Sequence, residues 1–261
     1  MTKQSSSNVR RAAEILFLLG KAGLGGASLS ALATATGDAK PAIHRALVSM
    51  GEFGLVRQAG RRGNYRLGPA IYALANQTPS IQDMVTAIRP VLISISAETG
   101  LSSFLMVRSG LDAVCLDFES GVLAAQALVT GVGGRLPLGV GGSGVCILAS
   151  MELAARNKII QANTQKLREW NVTVEQIQLE IEAFQQFGYV RGIRNSMGIE
   201  NLTLAFPTSP AKVFSYDAAI SVLAPVNWLS ESEIPSVVET VQRHLGKLTD
   251  TTPTPTPIEI A

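Results

Sequence analysis

The sequence predicts an α+β protein in two parts: a small basic N-terminal part made mostly of helices, and a larger acidic part built on a mainly antiparallel sheet. Charge divides the chain in this way. Positions 1–75 hold ten basic and three acidic residues, a net charge of +7, and the remainder carries −5 of the total of +2. Apolar spacing is helical through most of the first part, and strand-like and helical stretches alternate beyond it. The charge asymmetry is typical of a basic nucleic-acid- or membrane-binding module joined to another domain.

Length and composition indicate a folded chain. Its 261 residues suit two ordinary domains or one large one, and 16% charged residues are fewer than the roughly 25% of an average protein. Mean hydropathy is +0.25, but seven glycines and one proline interrupt the apolar stretch 122–151, which argues against a spanning helix. The polar, basic start lacks the pattern of a signal peptide, so we expect a cytoplasmic protein.

The basic part predicts three helices and a hairpin. The first helix covers residues 9–21, the second covers 29–36 after an N-cap at Ser28, and the third begins at Lys40 or Pro41. Two helices joined by a tight glycine-containing turn form a helix-turn-helix, whose second helix fits the major groove of DNA. The predicted buried stripe of the third helix is Ile43, Ala46, Leu47, Met50 and Phe53.

Two short strands around a basic loop follow and predict a wing that contacts phosphates. Arginine can hold a phosphate or a guanine edge with two hydrogen bonds, which makes Arg45, Arg61 and Arg62 natural contacts. Two alternatives remain, a helical domain with a solvated basic face and a membrane-associated basic module; the second lacks an amphipathic stripe with exposed aromatic residues. The candidate DNA contacts are Ser28, Lys40, Pro41, Ala42, His44, Arg45, Arg57, Arg61 and Arg62.

The acidic part predicts an α+β sheet with helices packed on it. The predicted strands are 102–107, 113–118, 123–130, 202–206 and 216–223. The predicted helices are 69–77, 81–99, 144–155, 161–170, 174–187 and 232–248. We place the DNA-binding domain and the start of a linker helix at 1–76, the second domain at 77–248, and a disordered tail rich in threonine and proline at 249–261.

The acidic part contains few sequence patterns that would indicate an active site. Gly139, Gly141 and Gly144 fit Gly-x-Gly-x-x-Gly, but neither a preceding strand nor an acidic residue about 20 positions later accompanies them. Glycines before a helix instead expose backbone N–H groups to a carboxylate, or merely permit a turn. Cys115 and Cys146 have apolar neighbours and are expected in the core. We therefore expect no enzyme, no cofactor and no metal.

Motifs in the basic part resemble a known family. The third helix contains Lys40-Pro41-Ala42-Ile43-His44-Arg45-Ala46-Leu47, and the hairpin contains Gly54-Leu55-Val56 and Tyr65-Arg66-Leu67-Gly68. These stretches resemble the winged helix-turn-helix of the isocitrate lyase regulator (IclR) family of bacterial transcription factors. Pro41, Ala42 and Ala46 depart from the family pattern, which carries hydroxyl residues before a His-Arg-Leu-Leu-like core.

The resemblance extends over residues 8–247. Its later landmarks are Gly134-Arg135-Leu136-Pro137-Leu138, Gly144, Leu148-Ala149, Gly188-Tyr189, Ala205-Phe206-Pro207 and Ala218-Ala219-Ile220-Ser221-Val222. The resemblance implies a GAF-like effector-binding domain, a small organic acid as ligand, and a homodimer or homotetramer.

The same resemblance implies the residues of the effector site. Gly141 and Gly142 match backbone donors to the effector carboxylate, and Thr203 and Ser221 match polar positions on facing strands. An acidic pocket residue of some members falls near Gly192 or Ile193, which are not acidic, while Arg191 and Arg194 are close. Either the effector differs from short keto acids, or an arginine pairs with a second anionic group; alternatively, both arginines lie in solvent. Apolar lining is expected from Phe104, Met106, Leu123 and Ala127, and the candidate effector-binding residues are Leu138, Gly141, Gly142, Ser143, Arg194, Thr203 and Ser221.

The expected function is a ligand-responsive transcriptional regulator that binds a palindromic operator in double-stranded DNA. A small-molecule-binding enzyme or sensor without a DNA role is the alternative. A matched acid–base pair in the C-terminal half would favour the alternative, and the sequence offers none.

Overall fold

The computed structural model describes residues 6–60, 63–122, 127–129, 131–196, 199–208 and 216–250. The chain separates into two compact units, Met1–Gln82 and Asp83–Ala261, which are described in turn. The domain limits given above, at residues 76 and 248, stay predictions. None of the helices in the described part of the chain is long and apolar enough to cross a membrane.

The N-terminal unit contains the predicted helices and hairpin. Its elements are α1 (Ser7–Ala22), α2 (Leu29–Thr36), α3 (Lys40–Glu52), β1 (Val56–Gln58), β2 (Tyr65–Leu67) and α4 (Pro69–Ala75). Ile15, Leu19, Leu32, Ile43 and Leu47 form its buried core. The expectation that Phe53 is buried was wrong: it caps the C-terminal end of α3 and is 75% exposed, because the helix ends before its stripe reaches that position.

Local chemistry explains why α2 and α3 meet in a tight turn. The backbone N–H of Ala31 donates to Ser28 Oγ at 3.1 Å, which caps the start of α2. The helix ends at Gly37, whose φ of 71° lies in the left-handed region. Pro41 then lies in the first turn of α3, where its missing N–H costs nothing.

The C-terminal unit is built on a six-stranded sheet in the order β5-β4-β3-β8-β7-β6. All neighbouring strands are antiparallel, as predicted. The strands are β3 (Ser102–Ser109), β4 (Asp112–Glu119), β5 (Arg135–Pro137), β6 (Val190–Ser196), β7 (Ile199–Pro207) and β8 (Ala218–Pro225). The helices are α5 (Pro79–Thr99), which contains the division between the units, α6 (Gly142–Ala149), α7 (Leu153–Glu169), α8 (Val174–Phe187) and α9 (Ile234–Gly246).

Helices cover both faces of the sheet. Successive strand residues point to opposite faces, and on β7 Ala205 joins the core formed with α6, α7 and α8. Its neighbours Leu204 and Phe206 join a second core with α5 and α9. The C-terminal unit therefore has three layers, with α6 against one face of the sheet.

The structure corrects several predicted elements. Residues 127–129 are not a strand, and the rest of the predicted strand 123–130 lies outside the described residues. Strands β5 and β6 were not predicted. The predicted helix 144–155 is interrupted: Ser150 Oγ donates to the carbonyl of Cys146 at 2.9 Å as α6 ends, and α7 begins at Leu153 and continues through the predicted helix 161–170. Lys247–Asp250 form a 3-10 turn, and residues 251–261, most of the predicted tail, lie outside the described residues.

Candidate functional site

The first two turns of α3 present the predicted DNA contacts. Ile43 and Leu47 bury the inner face of the helix. The outer positions Lys40, Pro41, His44 and Arg45 are exposed, and Ala42 is half-buried. Helical spacing therefore separates the anchoring residues from those that could reach a DNA groove.

An ion pair fixes the turn that precedes α3. Arg11 on α1 donates from Nε to Asp38 Oδ2 at 2.7 Å and from Nη2 to Oδ1 at 3.1 Å. The Arg11 guanidinium lowers the pKa of the Asp38 carboxyl below its usual value through this hydrogen bond. Because Asp38 comes two residues before α3, the pair positions the helix. Sequence reasoning missed it, since 27 residues separate the partners.

The wing is the antiparallel pair β1 and β2, in which Arg57 lies opposite Arg66. Arg57 is exposed, whereas Arg66 is half-buried. The hairpin is tied to the segment before α2, because Asn64 Nδ2 donates to the carbonyl of Gly25 at 3.1 Å. Arg61 and Arg62 lie outside the described residues.

The charges on this surface are available to a partner. In the described part of the chain, no carboxylate lies within ion-pair distance of Lys40, Arg45 or Arg57. Ser28 differs, since its hydroxyl accepts the capping hydrogen bond from Ala31. The surface therefore combines free cations on a helix and on a hairpin, which is the chemistry that phosphates and base edges require.

The C-terminal unit contains a cavity between α6 and the sheet. Its volume is about 50 Å³. Six of the seven predicted effector-binding residues line it: Gly141, Gly142, Ser143, Arg194, Thr203 and Ser221. Leu138 does not; it is completely buried, and its carbonyl accepts a hydrogen bond from Asn163.

The start of α6 forms the polar end of this cavity. Gly141 is the N-cap, and the first helical residues are Gly142 and Ser143. The first N–H groups of a helix lack partners within the helix and form the positive end of its dipole. A Cβ on Gly142 would lie 3.0 Å from Thr203 Cγ2, so glycine permits the close approach of α6 to β7.

A buried hydroxyl pair completes the polar end. Ser143 Oγ donates to Ser221 Oγ on β8 at 2.8 Å, and both residues are buried. Ser221 can still donate its own hydroxyl proton, because a hydroxyl has one donor and two acceptor positions. The polar end therefore offers backbone N–H groups and a hydroxyl, which suit a carboxylate.

Most of the remaining lining of the cavity is apolar, with Asn201 as a polar residue among it. Its described lining includes Phe104, Met106, Leu128, Val129, Leu136 and Leu223. The predicted residues Phe104, Met106 and Ala127 line the cavity, and Leu123 lies outside the described residues. A ligand that matches this arrangement has one anionic end and an apolar body.

The two arginines of β6 have different environments. Arg191 is exposed and pairs with Glu231. Arg194 is buried at the cavity wall and binds both oxygens of Glu180 on α8, at 2.7 and 2.9 Å. The interpretation that both arginines lie in solvent is therefore wrong for Arg194, whose burial the Glu180 carboxylate compensates.

The cysteines carry no nucleophilic chemistry. Both are completely buried, and burial raises the pKa of the Cys115 thiol to about 12 and that of Cys146 still further. Both thiols are therefore neutral near pH 7. Among the residues that the structure describes, no group of three His, Cys, Asp or Glu side chains could hold a metal ion.

Comparisons with known proteins agree with both units. Residues 8–60 match the IclR helix-turn-helix domain. The chain is similar to the HTH-type transcriptional regulator Rv1719 of Mycobacterium tuberculosis, with 34% identity over 55% of this chain and 54% of that protein. It is also similar to the transcriptional repressor IclR of Escherichia coli, with 21% identity over 80% of this chain and 77% of that protein. The alignment with the first relative thus spans about half of its length.

The fold has solved counterparts. An IclR homolog from Microbacterium hydrocarbonoxydans, complexed with 4-hydroxybenzoate, superposes with a TM-score of 0.70 at 18% identity, over 94% of this chain and 100% of that one. The first unit therefore contains an IclR-type helix-turn-helix domain, and the chain has the fold of these solved structures. The resemblance to the IclR family is confirmed, since the chain carries that family's helix-turn-helix domain and the fold of its solved members.

Proposed function

We propose that this chain is a transcriptional regulator that binds DNA through α3 and the wing, and that a small carboxylate in the C-terminal cavity modulates this binding. The observation that carries the proposal is the set of exposed cations at Lys40, Arg45 and Arg57, none of them within ion-pair distance of a described carboxylate. These cations lie on the second helix of a helix-turn-helix and on the hairpin that follows it. Free cations at those positions are suited to the phosphates of DNA.

The residues divide into two roles. We assign Arg45, one turn into α3, to a base edge, because arginine can donate two parallel hydrogen bonds to guanine. We assign Lys40 and Arg57, at the helix start and on the hairpin, to phosphates. The remaining predicted contacts, including Pro41, Ala42, His44, Arg61 and Arg62, flank these positions in the sequence.

The ligand proposal rests on the cavity. Backbone N–H groups at the start of α6 and the Ser143–Ser221 pair suit a carboxylate, and the apolar side chains of the lining suit an apolar body. The complex of an IclR homolog with 4-hydroxybenzoate supports a small organic acid as the class of ligand.

The proposed coupling between ligand and DNA takes place in an assembly of more than one copy of the chain. We propose a homodimer or a dimer of dimers in the cytoplasm on a palindromic operator, because two-fold symmetric proteins read two-fold symmetric sites. The ligand then shifts DNA affinity only if it binds one arrangement of the DNA-binding units more tightly than the other.

An enzymatic role is less well supported. The described residues that line the cavity include no carboxylate, imidazole, thiol or amine side chain. General acid–base or nucleophilic catalysis needs such groups within reach of the substrate. The lining therefore favours binding over chemistry.

Selection of DNA tests the proposal. The purified chain is mixed with sheared genomic DNA of its own organism, and the retained fragments are sequenced beside those retained by the Arg45→Ala variant. We expect a few fragments that share an inverted repeat, enriched by the natural chain and much less by the variant. Equal retention of all fragments by both proteins would contradict the proposal.

A further inference from the structure

Arg194 is the one charged side chain among the described residues that line the cavity. It is 8% exposed, and its bonds leave little donor capacity for a ligand. Nε donates to the carbonyl of Val140 at 2.6 Å, Nη1 to Glu180 and to the carbonyl of Ile193, and Nη2 to Glu180. Four of the five N–H groups of the guanidinium are therefore directed to the protein.

Glu180 neutralises this arginine from the far side of the cavity wall. Its side chain is 11% exposed, and its helix is anchored by the completely buried Ile177 and Ile181. The missing side chain of Gly192 makes room for the pair, since a Cβ there would lie 3.2 Å from Arg194 Nη1 and 3.3 Å from Glu180 Oε1. Helix α8 and strand β6 thus supply a matched, buried ion pair beside the ligand site.

The consequence concerns the charge of the ligand. One carboxylate can bind at the start of α6 and beside Ser143. A second carboxylate on the same ligand would face apolar side chains, the uncharged Asn201 and Thr203, or an arginine already bound to Glu180, so no described lining residue offers it an uncompensated positive charge. An ionised group buried without a partner is strongly unfavourable.

We propose that Glu180 determines the charge specificity of the cavity: by binding Arg194 it restricts the site to ligands with a single carboxylate and an apolar body, and it excludes dicarboxylates. This inference rests on the proposed role of the cavity as the ligand site. The sequence left two possibilities open: a ligand that differs from short keto acids, or an arginine that pairs with a second anionic group of the ligand. The inference favours the first, because Arg194 is already bound to Glu180.

Calorimetric titration with matched acids tests the inference. The probes are benzoate against phthalate and butanoate against butanedioate, pairs that differ by one carboxylate. For the natural chain we expect each dicarboxylate to bind at least tenfold more weakly than its partner. Glu180→Gln leaves the guanidinium of Arg194 without its counter-ion, so a second carboxylate on the ligand can replace Glu180. In this variant we expect the difference between the partners to shrink at least tenfold.

A second variant keeps the test valid if Glu180→Gln does not fold. The double variant Glu180→Met, Arg194→Met replaces the buried pair by apolar side chains, a change that proteins often tolerate. It should retain the preference for monocarboxylates. Equal binding of both acids by the natural chain, an unchanged ratio in a folded Glu180→Gln variant, or a gain of dicarboxylate binding by the double variant would each overturn the inference. Failure of all four acids to bind the natural chain would instead count against the cavity as the ligand site.

Discussion

The two units of the chain use their basic residues in opposite ways. In the N-terminal unit, Lys40, Arg45 and Arg57 are exposed, and no described carboxylate lies within ion-pair distance of them. In the C-terminal unit most arginines are tied to acidic residues: Arg89 to Asp117 and Glu119, Arg108 to Asp217, Arg135 to Asp112, Arg191 to Glu231, Arg194 to Glu180 and Arg243 to Glu98.

The difference separates binding charges from structural charges. A free surface cation keeps its full attraction for an external phosphate, whereas a paired one has already lost most of its field. The net charge of +7 over positions 1–75 therefore understates the contrast. Arg11 of the first unit is a structural charge as well, because its ion pair with Asp38 positions α3.

The largest effect is expected for Gly142→Val in the ligand site of the C-terminal unit. The added side chain would overlap Thr203 and cover the N–H groups at the start of α6. We expect carboxylate affinity to fall about 100-fold or more, since charge-assisted hydrogen bonds are lost. Overpacking should also lower the free energy of unfolding by about 1–3 kcal/mol. Calorimetry and urea unfolding measure the two effects.

Gly246→Ala is the matched control for this change, because a Cβ at Gly246 meets nothing within 4 Å. Its ligand affinity should equal that of the natural chain. If Gly142→Val kept its affinity, α6 would not be the binding element.

On the N-terminal side, Arg45→Ala tests whether a free cation reads DNA. We expect operator binding to weaken by about 1–3 kcal/mol if Arg45 contacts a base. Arg168→Ala removes an exposed arginine of the C-terminal unit and should leave operator affinity unchanged. Equal losses of affinity in both variants would mean that only the net charge of the chain matters for DNA binding, and that the exposed cations of the N-terminal unit have no special role.

Arg57→Ala separates phosphate contacts from base contacts. We expect a uniform weakening across sequences and a decrease of about 0.9 in the slope of log affinity against log salt, the loss of one phosphate contact. The sequence predicts a reduced slope for Arg61→Ala, Arg62→Ala as well. A slope equal to that of the natural chain in anisotropy titrations would place the wing away from the DNA backbone.

The smallest expected effect concerns a structural ion pair. Arg243 and His244 donate hydrogen bonds that hold the pKa of Glu98 at about 2 instead of its usual 4.5. A lowered folded-state pKa contributes stability that is fully present above about pH 4.5 and is lost as pH falls to about 2. Glu98→Gln should therefore flatten the dependence of unfolding free energy on pH in that window.

Urea unfolding at pH 7, 4 and 3 measures this dependence. Glu182→Gln serves as control, because Glu182 is exposed and makes no ion pair within the described part of the chain. An unchanged pH profile for Glu98→Gln would show that the pair adds nothing to stability.

The sequence predicted the N-terminal unit well because its signals are local. A capping serine, a left-handed glycine and a proline at the first turn define α2 and α3 within 14 residues, from Ser28 to Pro41. The same applies to the glycines before α6, whose place at a helix start could be inferred from spacing alone.

Strand β6 could not be predicted, because its pattern is the reverse of the usual one. Its buried positions hold Val190, Gly192 and Arg194, and the apolar Ile193 points outward with 45% exposure. Hydrophobic alternation therefore fails as a signal. Arg194 is buried only because Glu180, 14 residues earlier on another element, neutralises it, and no local pattern reveals such a partner.

In the proposed function, a ligand in the cavity changes DNA binding. The most direct test is an anisotropy titration of the full chain against its most enriched genomic fragment, with and without a saturating amount of the carboxylate that binds tightest. We predict that the ligand changes DNA affinity by about fivefold or more, and that DNA changes ligand affinity by the same factor. Specific DNA binding that the ligand leaves unchanged would contradict the account.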